Sequence, residues 1–157
     1  MKSILFFLCA FTISSSAFSQ QSSGLSTMKE GVLKREGKVW YIKALTGPMT
    51  LDDGSVVNTD GTVKTITGKT IKLADGKDIT FQGSVGTLYH KMDDKRGMIV
   101  MNNNLMWVWS VLDKPIKLTN GEYVIPDGTV RQTTGRYIDI KDKEFIDFDG
   151  NATTMSL

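Results

Sequence analysis

The chain has 157 residues, 40% of them hydrophobic and 23% charged, with a formal net charge of +2. That is ordinary globular composition rather than a disordered or collagenous chain, and 19 Lys and Arg against 17 Asp and Glu is too balanced for a nucleic-acid stripe or a polyanionic tail. One Cys and one His leave little for a thiol nucleophile, a structural zinc site or a Ser-His-Asp relay.

Lys2 precedes an apolar run from Ile4 to Ile13, too short to span a bilayer as a helix. Ala17-Phe18-Ser19 follows it as a small-residue cleavage pattern. Residues 1–19 are therefore expected to be a signal peptide cut after Ser19, with delivery to the periplasm or the extracellular space. Cleavage removes Cys9, so neither disulfides nor thiolate ligands are expected in the exported chain. Residues 20–27, polar and small, read as a flexible linker. No later apolar run approaches membrane-spanning length.

From Met28 onward the chain repeats itself. Shifted by 67 residues, Trp40 falls on Trp107, Pro48 on Pro115, Leu51 on Leu118, Asp60-Gly61-Thr62-Val63 on Asp127-Gly128-Thr129-Val130, and Ile79 on Ile146. No gap is needed between Trp40 and Gly83, so an internal duplication is inferred. Upstream, Met28 to Gly31 is set against Met92 to Gly97, with three extra residues in the second unit. The units are residues 28–83 and 95–150, joined by a connector over 84–94 and followed by a tail over 151–157.

Glycines recur every seven or eight residues within a unit, and six of them follow Asp or Asn: Asp53-Gly54, Asp60-Gly61, Asp75-Gly76, Asn120-Gly121, Asp127-Gly128 and Asp149-Gly150. Such pairs suit positive φ at tight turns. Between them only short strands fit, and Ile71/Leu73 and Ile138/Ile140 alternate with polar residues as in a sheet with one wet face. An all-β fold is expected: two tandem antiparallel β-meander repeats with Asp-Gly and Asn-Gly turns. Units of this size without disulfide or metal bury little surface alone, so the two are expected to pack together on a shared core.

The ordered landmarks are Met28-x-x-Gly31, Leu51-x-x-Gly54, Asp60 to Val63, Gly68-x-x-Ile71-x-Leu73 and Ile79-x-Phe81-x-Gly83. Together they resemble an uncharacterised domain of unknown function, about sixty residues long, found in exported bacterial proteins and often present in more than one copy. The resemblance implies an exported β repeat and carries no catalytic residues. Two positions depart from it in the second unit, where Lys143 stands for Gly76 and Ile140 for Leu73. Lys143 puts the tight turn there in question.

Candidate sites are few. Carboxylates at one per turn are too sparse for a calcium loop, so the Asx-Gly residues are assigned to turns. His90 and Met92, with Met98, Met101 and Met106 nearby, raise copper handling as one alternative, against methionines that simply fill a core. Tyr41 and Trp109 are the aromatics placed to face outward, and a sugar-binding platform is a second alternative. The lone His90 has no evident orienting partner. The expectation is thus a non-enzymatic binding or structural module without cofactor, meeting a protein or polysaccharide of the cell envelope and neither nucleic acid nor a membrane span.

Overall fold

The computed structural model describes residues 28–87 and 96–155. The expected leader (1–19) and linker (20–27), and His90 and Met92, lie outside the described residues. Within them the fold is all-β and antiparallel, without helices. The first half supplies β1 (Gly31–Arg35), β2 (Lys38–Ala44), β3 (Met49–Thr50), β4 (Val56–Val57), β5 (Thr62–Lys64), β6 (Thr70–Lys72), β7 (Lys77–Thr80) and β8 (Val85–Thr87). The second supplies β9 (Gly97–Asn102), β10 (Leu105–Val111), β11 (Ile116–Lys117), β12 (Tyr123–Val124), β13 (Thr129–Arg131), β14 (Tyr137–Asp139), β15 (Glu144–Asp147) and β16 (Ala152–Thr154).

Each half contributes a small four-stranded meander, β3 to β6 and β11 to β14. The other strands merge into one eight-stranded sheet of order β16-β15-β1-β2-β10-β9-β7-β8. Its registers repeat under the 67-residue offset with the partners exchanged: Ile79 faces Ile99, and Ile146 faces Val32. At the centre Ile42 faces Trp109, two residues that occupy one repeat position. A pseudo-twofold axis therefore passes through that pair, and the last hairpin of each half docks on the first hairpin of the other. Those hairpins run to Thr87 and Thr154, past Gly83 and Gly150.

The hairpin registers correct the upstream alignment. Leu33 faces Trp40 and Val100 faces Trp107, so the 67-residue offset continues without insertion, and Gly31 corresponds to Met98 rather than Gly97. The turns agree: Glu36 and Gly37 have φ of 52° and 75°, Asn103 and Asn104 of 51° and 59°. Two successive left-handed residues match the right-handed twist of the strands they join.

Strand alternation explains the core. Trp40, Ile42, Met98, Val100, Trp107 and Trp109 project from one face of the large sheet into a cluster completed by Met28, Leu33 and Phe145. The opposite face carries Ile79, Ile99, Met101, Met106 and Val108 under the first meander's Leu51, Val57, Val63 and Leu73. It also carries Val32, Val39 and Ile146 under the second meander's Leu118, Val124, Val130 and Ile140. Trp40 and Trp109 are fully enclosed. Burial of a tryptophan contributes on the order of 4–6 kcal/mol before conformational entropy is subtracted.

The beat of glycines has a concrete cause. Gly61 donates its N–H to Asn58 O at 3.0 Å while Asn58 N–H reaches Thr62 O at 2.8 Å, and Gly128 and Ile125 repeat the pattern. This is a three-residue hairpin loop closed by a left-handed glycine bulge, with φ of 81° at Gly61 and 89° at Gly128. Loop plus short strand gives a seven-residue period. Lys143 keeps the turn that its identity put in question: it adopts φ 65° where Gly76 has 74°, and its N–H bonds Lys34 O at 2.7 Å.

Candidate functional site

Among the described residues, the acids and amides of the turns are engaged in holding the fold. Asp60 Oδ1 accepts the Thr62 N–H at 2.9 Å and the Thr62 hydroxyl at 2.7 Å, and Asp127 does the same for Thr129 at the same distances. Asp53 accepts from Ser55 N–H and hydroxyl, both at 2.9 Å, and Asn120 from Glu122 N–H at 3.0 Å. Asp149 accepts the Thr119 hydroxyl at 2.9 Å, and Asp75 precedes the left-handed Gly76. Asp-Gly-Thr-Val is thus a physical unit. The acid caps a backbone N–H, the glycine turns the chain, the hydroxyl adds a donor, and Val63 or Val130 enters the core.

Two carboxyls are held below the usual range by these bonds. Hydrogen bonds from Thr62 lower Asp60. Asn151 chiefly lowers Asp147 through its side-chain amide, at 3.2 and 3.0 Å, against the opposing effect of burial. Asp60 stands in a turn and Asp147 at the end of β15, where it accepts the N–H groups of Asp149 and Asn151 in the turn that follows.

Trp109, expected to face outward, is fully buried on the pseudo-twofold axis, with its ring centroid 6.5 Å from that of Trp40. Alternation did put Trp107 and Trp109 on one face, but that face is the Trp-rich core. Tyr41 is half-buried and packs on Phe148 at 5.8 Å, on the sheet's other face. The two aromatics therefore do not form one platform. Met98 lies in one core cluster while Met101 and Met106 lie in another, so the copper reading loses these three to packing. Among the described residues no three His, Cys, Asp or Glu side chains converge on a point.

The two meanders share an apolar row turned toward the large sheet, with Ile138 exposed at its end, and differ in the outer row on the opposite face. Met49, Val57, Val63 and Ile71 line up across β3 to β6, as Ile116, Val124, Val130 and Ile138 do across β11 to β14. The outer row of the first is Thr50, Val56, Lys64 and Thr70. That of the second is Lys117, Tyr123, Arg131 and Tyr137, cation and ring in alternation. Residues directly opposite in an antiparallel pair share a face.

Arg131 lies over the Tyr123 ring at 4.7 Å and Lys117 over it at 5.9 Å. Tyr137 is 58% exposed. Neither cation forms an ion pair among the described residues. The row was missed in the sequence because its members stand six to eight positions apart and meet only through the strand registers. The usable signal was the contrast with Thr50, Val56, Lys64 and Thr70 at the same offset.

Two open clefts offer less. One of about 450 Å³ lies between β6 and β8, lined by Ile71, Leu73 and Val85 with Lys72 and Lys77. Both lysines are engaged: Lys72 bonds Asp60 O, and Lys77 bonds the Thr87 hydroxyl at 3.0 Å. The other, of about 470 Å³, borders Pro48, Met49 and Phe81. Among the described residues no helix is long and apolar enough to cross a membrane.

No curated protein and no solved structure matches the chain. A family model does match: residues 29–85, from just before β1 to the first residue of β8, are covered by a domain of unknown function, DUF6799.

Proposed function

We propose that the protein is an exported, non-catalytic binding module, made of two copies of this domain, that holds its ligand on the outer face of β11 to β14. The observation that carries the reading is the Lys117, Tyr123, Arg131, Tyr137 row. It joins exposed aromatic surface to two cations that no carboxylate among the described residues neutralises, on a sheet. The corresponding row of the first meander lacks rings altogether. Duplication leaves one half free to maintain the frame while the other acquires a surface. Export is supported by the leader pattern over residues 1–19.

The test is retention of the purified chain on immobilised cell-surface polymers of neutral, cationic and anionic character, against the Tyr123→Ala/Tyr137→Ala double variant, with circular dichroism to confirm folding. Retention by at least one polymer and its loss by tenfold or more in the variant are expected. Equal retention of the two proteins, or no retention of either, would contradict the reading.

A further inference from the structure

We infer that the ligand of the β11 to β14 face is a linear polysaccharide bearing carboxylates, a uronic-acid polymer laid across the four strands. The inference rests on the binding reading above and names its ligand. Adjacent strands lie about 4.8 Å apart, so the row from Lys117 to Tyr137 spans about 14 Å, room for about three pyranose rings.

Each member of the row has a distinct use. Tyr137, the most exposed ring, offers a flat apolar platform to the C–H face of a sugar. Arg131 lies over Tyr123, its guanidinium carbon 4.7 Å from the ring centroid, a contact that restrains a side chain whose planar fork can grip a carboxylate through two parallel bonds. Lys117, two strands away on the other side of Tyr123, supplies a second, adaptable point charge. Cation, ring, cation, ring therefore matches a chain that alternates apolar sugar faces with regularly spaced carboxylates.

Charge complementarity favours an acidic polymer over a neutral one, since two cations without an ion-pair partner among the described residues gain more from a carboxylate than from a sugar hydroxyl. It also favours a carboxylated glycan over nucleic acid, which binds through longer basic tracks. Asp139, opposite Thr129, places a carboxylate on the same face one pair further along the strands. It bounds the site on that side.

Affinity electrophoresis of residues 20–157 in gels containing polygalacturonate or alginate tests this, with fully methyl-esterified polygalacturonate, polyglutamate and single-stranded DNA as comparison gels. Retardation by at least one of the two uronate polymers is expected, weakening as salt rises. It should fall at least tenfold with methyl esterification and at least tenfold in Arg131→Ala and in Tyr137→Ala. Arg131→Lys, which keeps charge and loses the fork, should fall between wild type and Arg131→Ala.

Three results would overturn the inference: equal retardation by the esterified polymer, stronger retardation by polyglutamate or DNA than by either uronate, or no retardation by the uronates. Binding of the esterified polymer that is lost in Tyr137→Ala would leave the face as the binding surface and remove only its acidic ligand. Uronate binding unchanged in both Arg131→Ala and Tyr137→Ala would remove the face itself.

Discussion

Thr62 and Thr129 each give two hydrogen bonds to the acid two residues before them, and this local saturation lets such short loops hold their shape. Lys143 departs from the pattern, because a side chain at φ 65° meets strain that glycine avoids, about 1–2 kcal/mol for a residue in the left-handed region. Lys143→Gly should therefore raise stability by about 0.5–1 kcal/mol, since the added freedom of glycine in the unfolded chain offsets part of the relief. The midpoint of urea unfolding measures it, and an unchanged or lower midpoint would contradict it. Asp60 and Asp147 ionise more readily folded than at their ordinary value of 3.8. The stability they add is complete above that value and is lost as pH falls through their lowered folded values. Unfolding midpoints followed from pH 6 down to pH 2 should drop below about pH 4, and Asp60→Asn, which keeps the capping oxygen but cannot titrate, should make that drop shallower.

Among the elements, β1 and β15 show how closely the strands are fitted. A Cβ on Gly31 would run into Ile146 O and the Phe145 ring, so the missing side chain makes room for Phe145. In the other half the same two positions are Met98 and Asp78, large and small exchanged. Gly31→Ala should cost about 2–3 kcal/mol through this overpacking; thermal unfolding measures it, and a loss below 0.5 kcal/mol would show that the sheet yields there. Turns and strand spacing were legible in the sequence because left-handed glycines and capping acids act over four or five residues. Trp109 was not, since alternation pairs it with Trp107 but cannot say which face is covered. Nor was the Lys117 to Tyr137 row, whose members become neighbours only through long-range register.

At the scale of the molecule, the sharing of a core that small units require takes the form of exchange. The β7–β8 hairpin leaves its own half to pair through β7 with β9, and the β15–β16 hairpin leaves its half to pair through β15 with β1. The 67-residue offset and the expectation of mutual shelter came from the sequence. The exchange did not, because it depends on which edges meet in space. The family match over residues 29–85 thus describes a unit whose outer strands are completed by chain beyond it. A separate half would expose the free edge of β2 and the Trp40 face, surfaces that invite pairing with a second copy. Residues 28–87 expressed alone and studied by sedimentation equilibrium and circular dichroism test the interlocked sheet most directly. A dimer that unfolds as it dissociates, or a chain without stable structure, is expected. A folded monomer with a cooperative unfolding transition would contradict it.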